Sequence, residues 1–373
     1  MRILFSAVAL FGHVLPMVPL ARAARGAGHE VALVTGPEMV GKVDSELPIL
    51  SAGPTLPAMV DEAERRSGLR LGVHGVPGQI EFFAAARVDL TIDEAVAAAR
   101  EWKPDLVVCE TSDNVGPLLA TQLGVPWSRI AYGPRMEPET VRLVAEKVAP
   151  RYEARGLTQR PAVAYLDPCP LSLQPAGWEP PAPRLTVRPE PHRQAGFSWS
   201  VPEFPGRTGL PLVLVTLGTI FNSDERLGTI LESLKSIDVN VIATIDDKID
   251  RDALAIDTEQ VRLVDFVPLD QLLDGVDAVV TVGGAGTMLA TLSRGIPLVM
   301  LPQGADHPRN VAAATATGAA IGLERADEVG PATAQLLAEG SYRAAAAKVA
   351  EEMATMNSTP EALRQLVALA AAA

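Results

Sequence analysis

The chain of 373 residues is long enough for two domains of ordinary size, and its 48% apolar and 21% charged residues give a globular composition. A net charge of −13 leaves no basic footprint for a nucleic-acid backbone, and the two cysteines, Cys109 and Cys169, lack CxxC or histidine spacing, which excludes a disulfide framework and speaks against zinc. No apolar run reaches the ~18 residues of a membrane span, and the apolar stretch 3–11 has one basic residue before it and no cleavage site after it, so a cytoplasmic, unprocessed chain is expected.

Short apolar strands alternate with amphipathic helices along the chain, the mark of parallel sheets covered on both faces. The first strand is expected at 2–9 and the first helix at 16–26, with Pro16 in its opening turn and Gly26 and Gly28 as stop signals. A strand at 30–35 follows, then one at 105–109, a helix over 116–123 and a strand at 125–132. From 174 to 211 prolines are too dense for a helix or a central strand, which predicts a linker or surface crossing. The alternation then restarts with strands at 212–217, 239–244, 261–266, 278–282 and 297–301. The expected fold is therefore α/β, with two doubly wound, Rossmann-like parallel-sheet domains at 1–200 and 201–373 that face each other across a cleft. The final helix is left free to pack back on the first domain. Ligands of such sheets bind beyond the carboxyl ends of the strands.

The stretch 278–282 is a buried strand by composition, and it runs straight into Gly283, Gly284, Ala285, Gly286 and Thr287 before the helical residues from Met288 onward. Glycines let the backbone approach an anion, and a helix N-terminus offers free N–H donors and a favourable dipole. Thr216, Leu217, Gly218 and Thr219 form a second small, hydroxyl-bearing turn after the first strand of the same half. No GxGxxG follows the first strand of either half, and no Walker lysine follows the glycine turn. These absences argue against a nicotinamide or flavin enzyme and against ATP hydrolysis.

Taken in order, several segments resemble the nucleotide-sugar glycosyltransferases of the GT-B fold, family 1 type, in particular the bacterial branch acting on antibiotics and other natural products. They are Gly12 through Pro16, Pro19 to Ala21, Gly28 to Val31, Pro104 to Val108 and Leu123 to Pro126 in the first half. In the second half they are Asp265 to Pro268, Gly283 to Thr287, Arg294 to Pro297, Leu301-Pro302, Asp306-His307 and Asn310. The resemblance implies acceptor binding by the first domain, donor binding by the second, and inverting transfer without a metal. It places Phe266 and Val267 at the nucleobase, Thr219 and the 283–287 turn at the diphosphate, and Asp306 and His307 at hydroxyls of the donor sugar. The donor is expected to be a dTDP- or UDP-sugar and the acceptor a hydrophobic aglycone. No other cofactor, no nucleic acid and no membrane span are expected, and a homodimer is left open.

Inverting transfer needs a base for the acceptor hydroxyl and a clamp for the departing diphosphate. His13 follows the first strand, and an imidazole takes up and returns protons near neutral pH. Glu110, at the end of the 105–109 strand, is the expected carboxylate partner that stabilises the imidazolium. The family commonly has Asp there. Asp113 is the second candidate, against the simpler reading of a helix cap. Asp246, Asp247 and Asp250 read as a helix start rather than a cation cluster, and His29 as part of a turn. His74 is a candidate for the acceptor pocket. Phe82, Phe83, Val88 and Leu90 form either an apolar wall for the acceptor or one amphipathic helix packed on the first domain.

The sequence departs from the family pattern at four places. Val282 stands where many relatives carry a phosphate-facing histidine, a contact worth ~1.5–3 kcal/mol. Ala290 stands for a ribose-binding Glu, Leu269 for a Gln, and His307 for the Gln after the sugar-binding Asp. Arg135 or Asn222 is a candidate to compensate at the phosphates. The Val282 change favours an alternative reading, a non-catalytic helper or nucleotide-sugar-binding partner of another transferase, whereas retention of His13 and Glu110 argues for an enzyme. A nucleotide-sugar epimerase would need a further acid–base constellation in the second half, and none is evident.

Overall fold

A computed structural model describes the chain apart from residues 44–46, 192–196, 219–222, 248, 255 and 266. It divides into two compact units. Unit 1 comprises Met1–Pro168, Ala176–Arg188 and Asn357–Ala373, and unit 2 comprises Cys169–Pro175 and Pro189–Met356.

Unit 1 is built on a sheet of seven parallel strands: β1 (Arg2–Ser6), β2 (Glu30–Thr35), β3 (Ile49–Ser51), β4 (Leu106–Glu110), β5 (Trp127–Ile130), β6 (Tyr165–Asp167) and β7 (Arg184–Thr186). Their spatial order is β3-β2-β1-β4-β5-β6-β7. The run from Leu106 to Glu110 is buried throughout, as expected of a central strand covered on both faces. Apolar residues from alternate positions of β1, such as Ile3 and Phe5 against Leu4, feed two separate clusters on opposite sides of the sheet.

Unit 2 repeats the plan with β8 (Leu212–Thr216), β9 (Asn240–Thr244), β10 (Val261–Val264), β11 (Ala278–Thr281), β12 (Leu298–Met300) and β13 (Ala320–Gly322), in the order β10-β9-β8-β11-β12-β13. Again every strand pair is parallel. In both sheets the strand order reverses between the first strand and its later neighbour, β1 beside β4 and β8 beside β11. A crevice opens at such a switch point, beyond the carboxyl ends of the two strands.

Two sequence expectations change. The proline-rich 174–211 stretch is not all linker, because Arg184–Thr186 lies between prolines and pairs in parallel with β6 as the edge strand β7. An edge tolerates flanking prolines because one side of the strand needs no ladder donors. Instead of one boundary at residue 200, the chain passes between the units four times. The last passage brings the helix Thr359–Ala371 into unit 1, where Leu363, Leu366 and Ala370 pack with Leu20, Ala24 and Ile3. A capping box between Ser358 and Glu361 starts that helix. Leu366→Ala should therefore destabilise unit 1 by about 2–5 kcal/mol, read as a lower urea midpoint by tryptophan fluorescence. An unchanged midpoint would show that the helix does not hold that unit together.

Candidate active site

His13 lies in the first helical element after β1, a one-turn helix, Phe11–Val14, that starts earlier than the helix expected from Pro16. Its N–H bonds back to Leu10 O at 3.0 Å. Glu110 is the last residue of β4, so the two residues flank the switch point of the first sheet. They meet: His13 Nδ1 is 3.0 Å from Glu110 Oε1, with the imidazole 14% exposed and the carboxylate 1%. The ring nitrogen sits off the line of an ideal N–H donation, so the contact is short without being a well-aligned hydrogen bond. The longer arm of Glu does not prevent direct contact. Its carboxylate also accepts the Ser112 N–H at 2.6 Å on Oε2, and more weakly the Val8 N–H at 3.4 Å on Oε1. Two backbone donors thus fix a buried anion beside the histidine.

Two aromatic rings flank the imidazole. Tyr132, after β5, meets it at 5.0 Å between centroids and a 60° interplanar angle, and Phe83 at 5.8 Å and 30°. Phe83 belongs to a wide π-type turn, Phe82–Ala86, inserted between the helices Gly75–Glu81 and Arg87–Trp102. One extra residue per turn rotates side chains relative to a continuous α-helix, a distortion often found at functional sites. Of the four residues expected to form an acceptor wall or a packed helix face, Phe82 and Val88 are core and Leu90 packs against that core. Phe83 stands against His13.

The loop Thr111, Ser112, Asp113 and Asn114 ties these pieces together. Ser112 serves Glu110 through its N–H and Tyr132 through its Oγ, 2.8 Å from the phenol oxygen. Asn114 donates from Nδ2 to Phe83 O at 3.1 Å, holding the π-type turn. Asp113, the second carboxylate candidate, faces elsewhere: it is fully buried against the Arg87 guanidinium and accepts the N–H groups of Val115 and Gly116 at 3.1 Å each. Burial alone would raise its carboxyl. The Arg87 charge, with hydrogen bonds from Arg87 and the Gly116 N–H, more than reverses this and holds it below the ordinary carboxylate range. The cap reading of Asp113 is the one the geometry supports. His74 likewise acts locally, with Nδ1 accepting the Arg70 N–H at 2.8 Å at the start of the Gly75–Glu81 helix. His29 Nδ1 lies 3.1 Å from the amino terminus. Arg135 donates to Glu179 O at 3.1 Å.

In unit 2 the glycine turn connects β11 to the helix Ala285–Leu292 at the second switch point. Gly283 has φ +95°, a left-handed conformation that favours glycine, and a Cβ there would press on Val311 and Met300 at 3.2 and 3.3 Å. A Cβ at Gly284 or Gly286 would meet nothing within 4 Å, so open space lies beside the turn. The first helical bond runs from Met288 N to Gly284 O, which leaves the N–H groups of Ala285, Gly286 and Thr287 without partners inside the helix. Such a terminus suits an anion. Asn310, fully buried, fixes the turn by donating from Nδ2 to Gly283 O at 2.8 Å and to Asp306 Oδ2 at 2.7 Å. His307 is buried beside Gly283, and burial holds its imidazole below the ordinary histidine value against the opposing pull of Asp306. Across the same strand ends, Thr244 Oγ1 donates to Thr216 Oγ1 at 3.0 Å.

Val282 is buried in the apolar cluster under the sheet, as are Ala290 and Val267 in the cluster on its other face. The side chains of these three residues therefore serve packing. Thr219, Phe266 and Asn222 lie outside the described residues. Asp250, in the acidic run, accepts the Asp252 N–H and caps a short 3-10 turn, in keeping with a helix start. Among the described residues, no group of three or more His, Cys, Asp or Glu side chains is placed to hold a metal ion, and no helix is long and apolar enough to cross a membrane. Sequence reading passed over Ser112, Asn114, Tyr132 and Thr244. The polar run 111–114 after a buried strand was the visible signal for the first two.

Residues 60–191 match the N-terminal domain, and residues 228–369 the C-terminal domain, of the family described as erythromycin biosynthesis protein CIII-like. An L-demethylnoviosyl transferase of Streptomyces niveus is 30% identical over 95% of this chain and 94% of its own. The chain belongs to this family of glycosyltransferases. A tylactone mycaminosyltransferase of Streptomyces fradiae is also 30% identical, over 87% of this chain and 81% of its own. Among solved structures, the glycosyltransferase SnogD from Streptomyces nogalater superposes with a TM-score of 0.80 at 30% identity, covering 99% of both chains. The glycosyltransferase SsfS6 of Streptomyces sp. SF2575, complexed with thymidine diphosphate, gives 0.81 at 28% identity, covering 98% of this chain and 99% of its own. These neighbours make the paired Rossmann-like sheets of the transferase a GT-B architecture.

Proposed function

We propose that the transferase moves a deoxysugar from a dTDP-sugar, with a UDP-sugar as the alternative donor, to a hydroxyl of a hydrophobic natural-product aglycone, inverting the anomeric carbon without a metal. The contact between His13 and the buried Glu110 is the observation that carries this reading. With Nδ1 turned to the carboxylate, Nε2 is the ring nitrogen left to take the acceptor proton. The acceptor oxygen then forms its bond to the anomeric carbon as the bond to the diphosphate oxygen breaks, and the diphosphate leaves with the electron pair. Glu110 stabilises the imidazolium that forms, held in place by its backbone donors. The opened N-terminus of the Ala285–Leu292 helix, with the Thr287 hydroxyl, suits the developing diphosphate charge. Asp306 and His307 are assigned to the sugar hydroxyls, Phe266 with the backbone of Val267 to the nucleobase, and Thr219 to the diphosphate.

The names of the relatives favour this donor and this acceptor class, since one solved relative carries thymidine diphosphate and a curated one is a tylactone mycaminosyltransferase. The loss of a charged donor at Val282 makes the cradle depend on backbone N–H groups, so dTDP should bind, but about 10- to 100-fold more weakly than a cradle with the additional charge-assisted bond. Calorimetric titration of the protein with dTDP and with UDP tests this. Binding of either in the micromolar to sub-millimolar range supports transfer, and no heat at millimolar nucleotide sinks it in favour of a non-catalytic helper.

A further inference from the structure

Tyr132 has no part in the proton transfer just described, yet it is joined to both halves of the His13–Glu110 pair. Its ring and the imidazole form a T-shaped pair at 5.0 Å, and its hydroxyl is 2.8 Å from Ser112 Oγ. The N–H of the same serine donates at 2.6 Å to the Glu110 oxygen that does not face His13. Ser112 and Glu110 are buried, and Tyr132 is half-buried, so these bonds are shielded from competing water. A carboxylate with one oxygen pinned presents the other in a fixed direction. Which nitrogen of a histidine carries its proton is set by the partner that the ring nitrogen faces.

We infer that Tyr132 and Ser112 are positioning residues: the phenol fixes the Ser112 turn, the turn fixes Glu110, and Glu110 with the tyrosine ring beside the imidazole holds neutral His13 as the Nδ1–H tautomer with Nε2 as the proton acceptor. The charged groups around the imidazole fit this assignment. Glu110 approaches from β4, Asp113 on the adjoining loop is paired with Arg87 from the Arg87–Trp102 helix, and Phe83 and Tyr132 present uncharged rings. Arg129, on β5, is turned to Thr111 O.

The inference rests on the proposed base but is tested without turnover. In the full chain labelled with 15N-histidine, the His13 ring signals are assigned by their loss in His13→Ala, and the ratio of Nδ1–H to Nε2–H tautomer is read at a pH where the ring is neutral. Tyr132→Phe, which keeps the ring, and Ser112→Ala should each lower that ratio by about 5- to 10-fold, the effect of one ordinary hydrogen bond. The double variant should fall no further than either single one, since both changes cut one path. A change below twofold in both single variants, or a double variant whose losses add, would overturn the inference. Sugar-transfer rates separate it from the reading beneath it. If His13→Ala turns over normally while the tautomer ratios shift as expected, the base assignment fails and the positioning stands. If His13→Ala is inactive and the ratios do not move, the base stands and the positioning fails.

Discussion

Replacing His13 with alanine is expected to slow sugar transfer by about 10²–10⁴-fold, the usual worth of a positioned general base, while dTDP affinity stays within about twofold. The two halves of this expectation come from different units of the protein. His13 stands with Glu110 at the switch point of the first sheet, whereas the glycine turn assigned to the nucleotide belongs to the second. An alanine at residue 13 leaves the turn, Asn310 and the open helix terminus untouched. Glu110→Gln should fall between wild type and His13→Ala. It keeps the size of the side chain but gives up the charge that stabilises the imidazolium, a loss of about 1.5–3 kcal/mol and so roughly 10- to 150-fold in rate. Initial rates with dTDP-glucose or dTDP-rhamnose and a panel of hydroxylated polyketides, beside nucleotide calorimetry on the same preparations, provide the check. Near-normal turnover of His13→Ala would remove it as the base. A loss of nucleotide binding in the same variant would mean that residue 13 supports the donor instead.

Much of this arrangement was legible in the chain before the fold was known, because parallel sheets write themselves as buried apolar runs. The stretch 278–282 followed by five small residues predicts a strand, a tight turn and a helix start, and the strand Ala278–Thr281 and the helix Ala285–Leu292 lie there. The expected strands 2–9 and 261–266 run three and two residues past the observed ends, since the apolar pattern continues into the turn after the hydrogen-bonded ladder has ended. The edge strand β7 was hidden for the opposite reason. The five residues between Pro183 and Pro189 carry too little pattern, and only pairing with β6 makes three of them a strand. The site was half legible. The meeting of His13 and Glu110 could be expected from their places after strands, but Tyr132 and Ser112 are joined to that pair through one 2.8 Å contact between residues 20 positions apart. Phe83 depended on a π-type turn, which periodicity of 3.6 cannot anticipate.

The stability of this site should hinge on an ion pair that takes no part in the chemistry. Arg87→Met is expected to cost unit 1 about 3–5 kcal/mol at neutral pH, because it strands the carboxylate of Asp113, which is 0% exposed, without a counter-charge. The guanidinium also donates at 2.9 Å to Ala7 O, at the end of β1. In the native protein the Asp113 carboxyl titrates below its ordinary value, so its contribution is present above that value and fades as the pH falls through the depressed one. Without Arg87, burial, the largest influence, is opposed only by the hydrogen bonds that remain, and the folded-state value is expected to rise above the ordinary one. The sign then reverses: the variant regains stability as the pH falls towards the carboxylate range, while the native protein does not. The gap between the two proteins should therefore narrow from about pH 7 to about pH 5. Urea unfolding followed by tryptophan fluorescence reports chiefly on unit 1, which holds Trp102, Trp127 and Trp178 of the four tryptophans. A gap that stays constant with pH would mean that the loss in Arg87→Met comes from packing rather than from the stranded charge. Because Asp113 also anchors the N–H groups of Val115 and Gly116, freeing it loosens the loop that carries Ser112, so transfer should weaken together with stability. Arg87→Met with Asp113→Asn should recover part of both, since an amide can remain buried and hydrogen-bonded where an unpaired carboxylate cannot.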